Sequence, residues 1–237
     1  MTSQALWITT LLFGFVTGAE AARADEVEQA LSAIGAGSTR EIKDRIFGQP
    51  LTVIGLERRA QSLAALPASI REHRVQPGKL QRRVETILSR VLQAQGRNPE
   101  QITLFLFHND IPHALLWRGC VLAISDGLAD PLLDGELAGI IAHELGHSFF
   151  MDEMVAARQT GDAGAMRVVE LKCDAVAILS LKLLDHNPAL YLRGLKSLKD
   201  LIRRKSLSSG IFQSHPELVE RARLSERFLK LLSRSEN

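Results

Sequence analysis

The residues best suited to chemistry stand together at His143-Glu144-Leu145-Gly146-His147, inside the apolar run GELAGIIAHELGHSFF. On an α-helix positions i and i+4 share a face, so both imidazoles can reach one metal ion. Glu144 lies about 100° round the same helix, close enough to hold a water beside that ion. Two imidazoles and a carboxylate suit zinc and leave a position open for water. Glu170-Leu171-Lys172-Cys173-Asp174 repeats the i, i+4 spacing with two acids, and Val168, Val169, Ala175, Val176 and Ile178 surround them. Solvated surface acids do not keep such company. Glu170 is therefore the expected third ligand, and Asp174, one turn on, can accept the free ring N–H of a ligating histidine and fix its tautomer. The competing reading, two histidines packed into a core helix, requires burying unpaired imidazoles and a carboxylate, which is costly. One Zn2+ per chain is expected.

These groups need rigid elements to hold them. After Asp134 the sequence reads as helix throughout: Gly135 to Met151, Gly164 to Asp185, Pro188 to Lys205 and Pro216 to Ser233, with Asp134 as an N-cap. The basic cluster Lys196 to Lys205 is most simply the solvated face of a helix; peripheral contact with anionic membrane lipid is the minority reading. Upstream, Lys79 to Gln95 places Leu80, Val84, Ile87, Leu88, Val91 and Leu92 three and four apart, an amphipathic helix that ends at Gly96-Arg-Asn-Pro. Between these helical regions the period changes. Ile102 to Phe107, Ala114 to Trp117 and Val121 to Ile124 read as short strands. A small antiparallel sheet beside the active helix is expected, within a mainly helical α+β fold. Residues 25–78 form a separate helical extension ahead of a catalytic domain over 79–237.

Composition agrees. The chain has 237 residues, 46% hydrophobic and 5% aromatic, with one tyrosine and two cysteines. That excludes disorder and a disulfide-dense miniature. A net charge of +2 gives no electrostatic reason to expect nucleic acid.

Three blocks resemble peptidase family M48, zinc metallopeptidases of the gluzincin group. The first is the apolar run ending in His143-Glu144-Leu-Gly-His147. The second is Arg167-Val-Val-Glu170-Leu-Lys-Cys173-Asp174-Ala-Val-Ala177, similar to R-x-x-E-x-x-A-D-x-x-A/G with Cys173 in an alanine place. The third is Ser214-His215-Pro216 with Arg221, similar to H-P-x-x-x-x-R. His113-Ala114 to Gly119 and Val121 to Leu128 resemble the family's N-A-F…G-G…I-V-V-T-x-G-L segment, so the likeness runs from about Lys79 to Leu232. His113 stands where the family usually has Asn, Arg118 replaces a Gly, and the His147–Glu170 gap is short. Residues 25–78 resemble nothing nameable.

The resemblance, with the ligand chemistry, implies a zinc-dependent endopeptidase of zincin-like fold acting on polypeptides. Zinc would lower the pKa of its water and polarise the scissile carbonyl, with Glu144 as general base. A further donor must meet the oxyanion; His215 is the first choice and Arg221 the second, each with the alternative of bracing the last helix. The scarcity of tyrosine favours His215, since Tyr191 sits in a Leu-rich helix and reads as core. His215 could instead ligate zinc in a resting state. His113, Ala114 and Leu115 would bind substrate backbone if their strand edge lines the cleft, and are otherwise structural. The rival class is a latent or non-catalytic zinc-containing binding or chaperone-like module at the cell envelope, switched or recruited by a partner protein. An intact Glu144 speaks against a purely structural metal.

The amino terminus carries the compartment signal. Ala5 to Ala19 is uncharged and about fifteen residues long, short of the ~20 that span a membrane. Ala19-Glu-Ala21 and Ala22-Arg-Ala24 both have signal-peptidase spacing, so residues 1–24 read as an export leader to the periplasm or cell envelope, or as an uncleaved anchor. In that space Cys120 and Cys173 could pair, or both could be small buried apolar residues.

Overall fold

The computed structural model describes residues 16–49, 51, 54–204 and 216–234. Among these the chain forms eleven α-helices, a short 3-10 turn and three strands. At its centre lie α7 (Asp134–Gly146) and α9 (Ala163–Leu183). Both are buried on almost every side, which explains their near-continuous apolar sequence. Around them pack α5 (Lys79–Ala94), which turns Val84, Ile87, Leu88, Val91 and Leu92 inward, and α10 (Ala189–Arg204) and α11 (Leu218–Arg234). The basic side chains Lys196, Lys199, Arg203 and Arg204 of α10 point to solvent. Arg83 fastens α5 to the start of α7, donating to Asp134 Oδ1 at 2.7 Å and to the carbonyls of Ala129 and Leu132.

The sheet differs from expectation. Its order is β1 (Thr103–Phe107), β3 (Val121–Ser125), β2 (Ala114–Trp117). The β2–β3 hairpin is antiparallel, but β3 lies between the other two and runs parallel to β1, so the sheet is mixed. Residues 108–113 reverse the chain without pairing β2 to β1, and the hairpin brings β3 back into the gap. The hairpin turn places Arg118 at φ 49° and Gly119 at φ 72°, the doubly left-handed turn that matches strand twist. Arg118 thus holds a conformation that glycine adopts more cheaply.

The sheet is covered on both faces. Leu106, Leu122 and Ile124 join the main core, while Phe105, Phe107, Val121 and Ala123 pack with Leu66 and Ile70. Those last two belong to the segment of α3 (Leu56–Ala64) and α4 (Ala68–Arg71). Trp117 Nε1 donates to the Ser62 carbonyl across this contact. The same segment pairs with the outer edge of β1, where Arg74 bridges Phe107 and Val75 N–H donates to Leu106. Further upstream, α2 (Thr39–Phe47) carries a full Ser38–Glu41 capping box. Its partner α1 (Val16–Ile34) inserts Val27, Ala30, Leu31 and Ile34 into the main core. Glu26 of α1 receives Arg167 of α9 through Nε and Nη2, the latter at 2.6 Å.

Helix ends deviate from the sequence reading in three places. The helix expected to reach Met151 stops at Gly146, and His147, Ser148 and Phe149 form i→i−3 bonds that tighten its last turn. A helix that the sequence reading leaves out, α8 (Met151–Thr160), follows and ends at Gly161 with φ 68°. It buries only Met154 and Ala157, too little to create a visible apolar period. Leu133 is the N-cap of α7 in place of Asp134, with the Glu136 carboxylate accepting its N–H at 3.0 Å. Among the described residues no helix is long and apolar enough to cross a membrane; most of the apolar leader lies outside them. Cys120 and Cys173 are free, buried thiols.

Candidate metal centre

α7 and α9 build the centre between them. Gly146 allows their close approach, since a Cβ there would lie 3.1 Å from Cys173 Cα. One turn along α9 from Cys173, Glu170 consequently reaches both histidines. Its Oε2 lies 3.2 Å from His143 Nε2 and its Oε1 3.8 Å from His147 Nε2. The rings stand at 90° with centroids 5.2 Å apart. Ligand atoms of His143, Glu144 and His147 all fall within 4.8 Å of one another.

The donor set fits a metal ion. A tetrahedral ion with bonds of about 2.0–2.1 Å keeps its ligand atoms roughly 3.3 Å apart, and the two separations to Glu170 bracket that spacing. Electrostatics agree. Burial opposes a charge on His143, yet contact with the Asp174 and Glu170 carboxylates holds its pKa up at about 9. Two carboxylates flanking one imidazole favour a cation between them, and a metal at Nε2 answers that demand.

Behind His143 lies a buried ionic network. Asp174, with no exposed surface, accepts from His143 Nδ1 at 2.9 Å, which leaves the Nε2 lone pair facing Glu170. Arg221 of α11 donates to Asp174 Oδ2 through Nε at 2.8 Å and to Oδ1 through Nη2. Burial alone would raise Asp174, but the Arg221 guanidinium holds its carboxyl well below the usual range. Tyr191 is core, as expected, but its hydroxyl also enters the network. It donates to Asp174 Oδ1, accepts from Arg221 Nη2, and lies 2.8 Å from His143 Nδ1. Gly139 of α7 makes room for Tyr191. A Cβ on Gly139 would meet Tyr191 Cδ2 at 3.0 Å and its Cα at 3.2 Å.

His147 is held differently. Its Nδ1 faces Cys173 Sγ at 3.5 Å, and it retains more exposure than His143. Burial keeps Cys173 as the neutral thiol.

Glu144 is partly exposed beside the ligand atoms. Burial pushes its pKa up to about 7; Glu170 adds to the rise, while His143 and the N–H of Leu116 oppose it. The Leu116 contact places β2 along the active helix. Backbone groups of His113 and Trp117 point toward β3, as Ser125 N→His113 O and Cys120 N→Trp117 O show. Alternation therefore turns the backbone of Ala114 and Leu116 to the opposite edge and that of Leu115 inward. No strand of the described residues pairs with this edge of β2. The His113 ring meets the Phe107 ring edge-on at 6.0 Å, and burial lowers its pKa. His215 lies outside the described residues.

Residues 78–162 match the model of peptidase family M48. Over those residues the chain is similar to a peptidase M48 domain. The matched stretch runs from α5 to the end of α8 and includes the histidine pair; Glu170, Asp174 and Arg221 lie beyond it and are brought to it by the fold. No curated protein matches the chain.

Proposed function

We propose that this protein is a zinc-dependent endopeptidase of the M48 type. The observation that carries the reading is the convergence of His143 Nε2, His147 Nε2 and the Glu170 carboxylate, with Glu144 beside them. His143, His147 and Glu170 would hold the ion. Bound there, zinc supplies Lewis acidity to the scissile carbonyl and makes water a usable nucleophile near neutral pH.

The chain's own groups do the rest. Glu144 takes the proton of the attacking water and passes it to the leaving amine, a role suited to a carboxylate whose pKa burial has raised. Asp174 holds His143 in one tautomer, and Arg221 acts through Asp174, to which its guanidinium is committed. The edge at Ala114 and Leu116, which no strand of the described residues covers, receives an extended substrate as an added strand. Tyr191 is fully buried behind His143 and cannot reach a substrate, which supports His215 as the oxyanion donor.

Export rests on the leader sequence. Every buried side chain that α1 contributes among its described side chains, from Glu26 to Ile34, follows the expected cleavage points, so a processed chain keeps its core contacts. The test of the activity is chelation. Hydrolysis of an unfolded protein should cease on metal removal and return with one equivalent of zinc. Hydrolysis that survives complete chelation contradicts the reading.

A further inference from the structure

Next to the metal centre lies a cavity of about 470 Å³. Ser148 and Phe149, which directly follow His147, form one wall. Arg118 and Gly119, which close β2, form a second, and Leu51, Ile54 and Arg58 of the amino-terminal segment form a third. Leu116 contacts Glu144, and Arg118 follows two residues on, past the end of β2 in the hairpin turn, so at most about 7 Å away along the chain. An extended polypeptide lying along β2 with its scissile bond at Glu144 therefore carries its backbone to the cavity within about two residues.

The lining is cationic. Arg58, Arg97 and Arg118 all contribute to it. Arg97 donates to Ser148 Oγ at 2.9 Å through Nη1 and lies over the Phe149 ring at 5.7 Å. Its buried Nε has no hydrogen-bond partner among the described residues. Burial lowers its pKa to about 10, so the guanidinium lacks the compensation that a buried charge ordinarily has. Two acids also line the cavity. Both oxygens of Glu153 are engaged by Lys172 Nζ, at 2.5 and 2.7 Å, which leaves Asp152 against three arginines. The cavity therefore retains an excess of positive charge, presented as planar forks that match a carboxylate.

We infer that this cavity is a carboxylate-recognising subsite, in which Arg58, Arg97 and Arg118 bind an acidic side chain or the free C-terminal carboxylate of a polypeptide lying along β2. The inference rests on the peptidase reading for the direction of the substrate. It also gives the otherwise unmatched residues 25–78 a part in specificity, through Arg58.

The test uses the full chain with one equivalent of zinc and Glu144→Gln to keep peptides uncut. Binding of fluorescent peptides is followed by anisotropy, with Glu or Gln placed in turn at each position, as free acids and as amides. Glu peptides at one position should bind about tenfold tighter than their Gln counterparts if a side chain is read. Free acids should bind tighter than amides if the C-terminus is read. In the Arg58→Gln/Arg118→Gly background either preference should fall within about twofold, whereas Arg58→Lys/Arg118→Lys should retain most of it. Equal binding of all peptides, no binding, or a preference unchanged by the double substitution overturns the subsite. A clear preference here, alongside a zinc-loaded wild-type chain that hydrolyses nothing, would instead count against the peptidase reading while leaving the subsite standing.

Discussion

The two histidines of one helix are held in opposite ways. His143 backs onto Asp174, Arg221 and Tyr191, a closed set of charged and polar groups with almost no exposure. His147, one turn later, backs onto a neutral thiol in the tightened last turn of α7, next to an open cationic cavity. The difference teaches where rigidity is placed. The Asp174 side fixes one ring's tautomer and orientation, and the Cys173 side leaves the other ring closer to solvent. In the proposed site both rings would serve one ion, but the network is concentrated behind one of them.

Substitutions can break this asymmetry. The largest effect belongs to Asp174→Ala, which removes the acceptor of His143 and leaves Arg221 buried without its counter-charge. Loss of such a partner costs about 3–5 kcal/mol, and loss of a ligand's outer partner costs about 10–100-fold in metal affinity. Denaturant unfolding and zinc competition with a chelating dye measure the two. Gly139→Ala comes next: the added methyl meets Tyr191 backbone and ring, and overpacking of this kind costs about 1–3 kcal/mol. Tyr191→Phe keeps the ring and removes the hydroxyl, leaving Asp174 and Arg221 in contact. A loss of about 1 kcal/mol in unfolding free energy is expected, near the net worth of one hydrogen bond. Cys173→Ala should be mildest, with zinc affinity changed by less than about threefold because sulfur is a weak hydrogen-bonding partner. A loss for Cys173→Ala as large as that for Asp174→Ala would erase the distinction between the two sides.

Much of the centre was legible because its chemistry follows local spacing. His143, Glu144 and His147 share one helix, and Glu170 and Asp174 share another, so i, i+4 periodicity exposes both sets. Tyr191 was harder. Its helix reads as an apolar pattern, and what joins it to His143 is a close helix crossing at Gly139 that only the fold reveals. Strand direction was equally hidden, since β1, β2 and β3 have the same apolar alternation whichever way they run. The thin burial of α8 explains why its ten residues show no helical period in the sequence. The amino-terminal segment gave helices but not their purpose. That depends on contacts such as Arg74 with Phe107, Trp117 with Ser62 and Glu26 with Arg167, all distant in sequence.

The central claim is that His143, His147 and Glu170 hold one metal ion on which Glu144 works as the base. Zinc content and hydrolysis of an unfolded protein, measured side by side for the wild-type chain and Glu144→Gln, test it most directly. The account predicts close to one zinc per chain in both, with hydrolysis reduced at least about a hundredfold in the variant, as expected for a lost general base. Undiminished hydrolysis by Glu144→Gln, or a wild-type chain that binds no zinc, would contradict it.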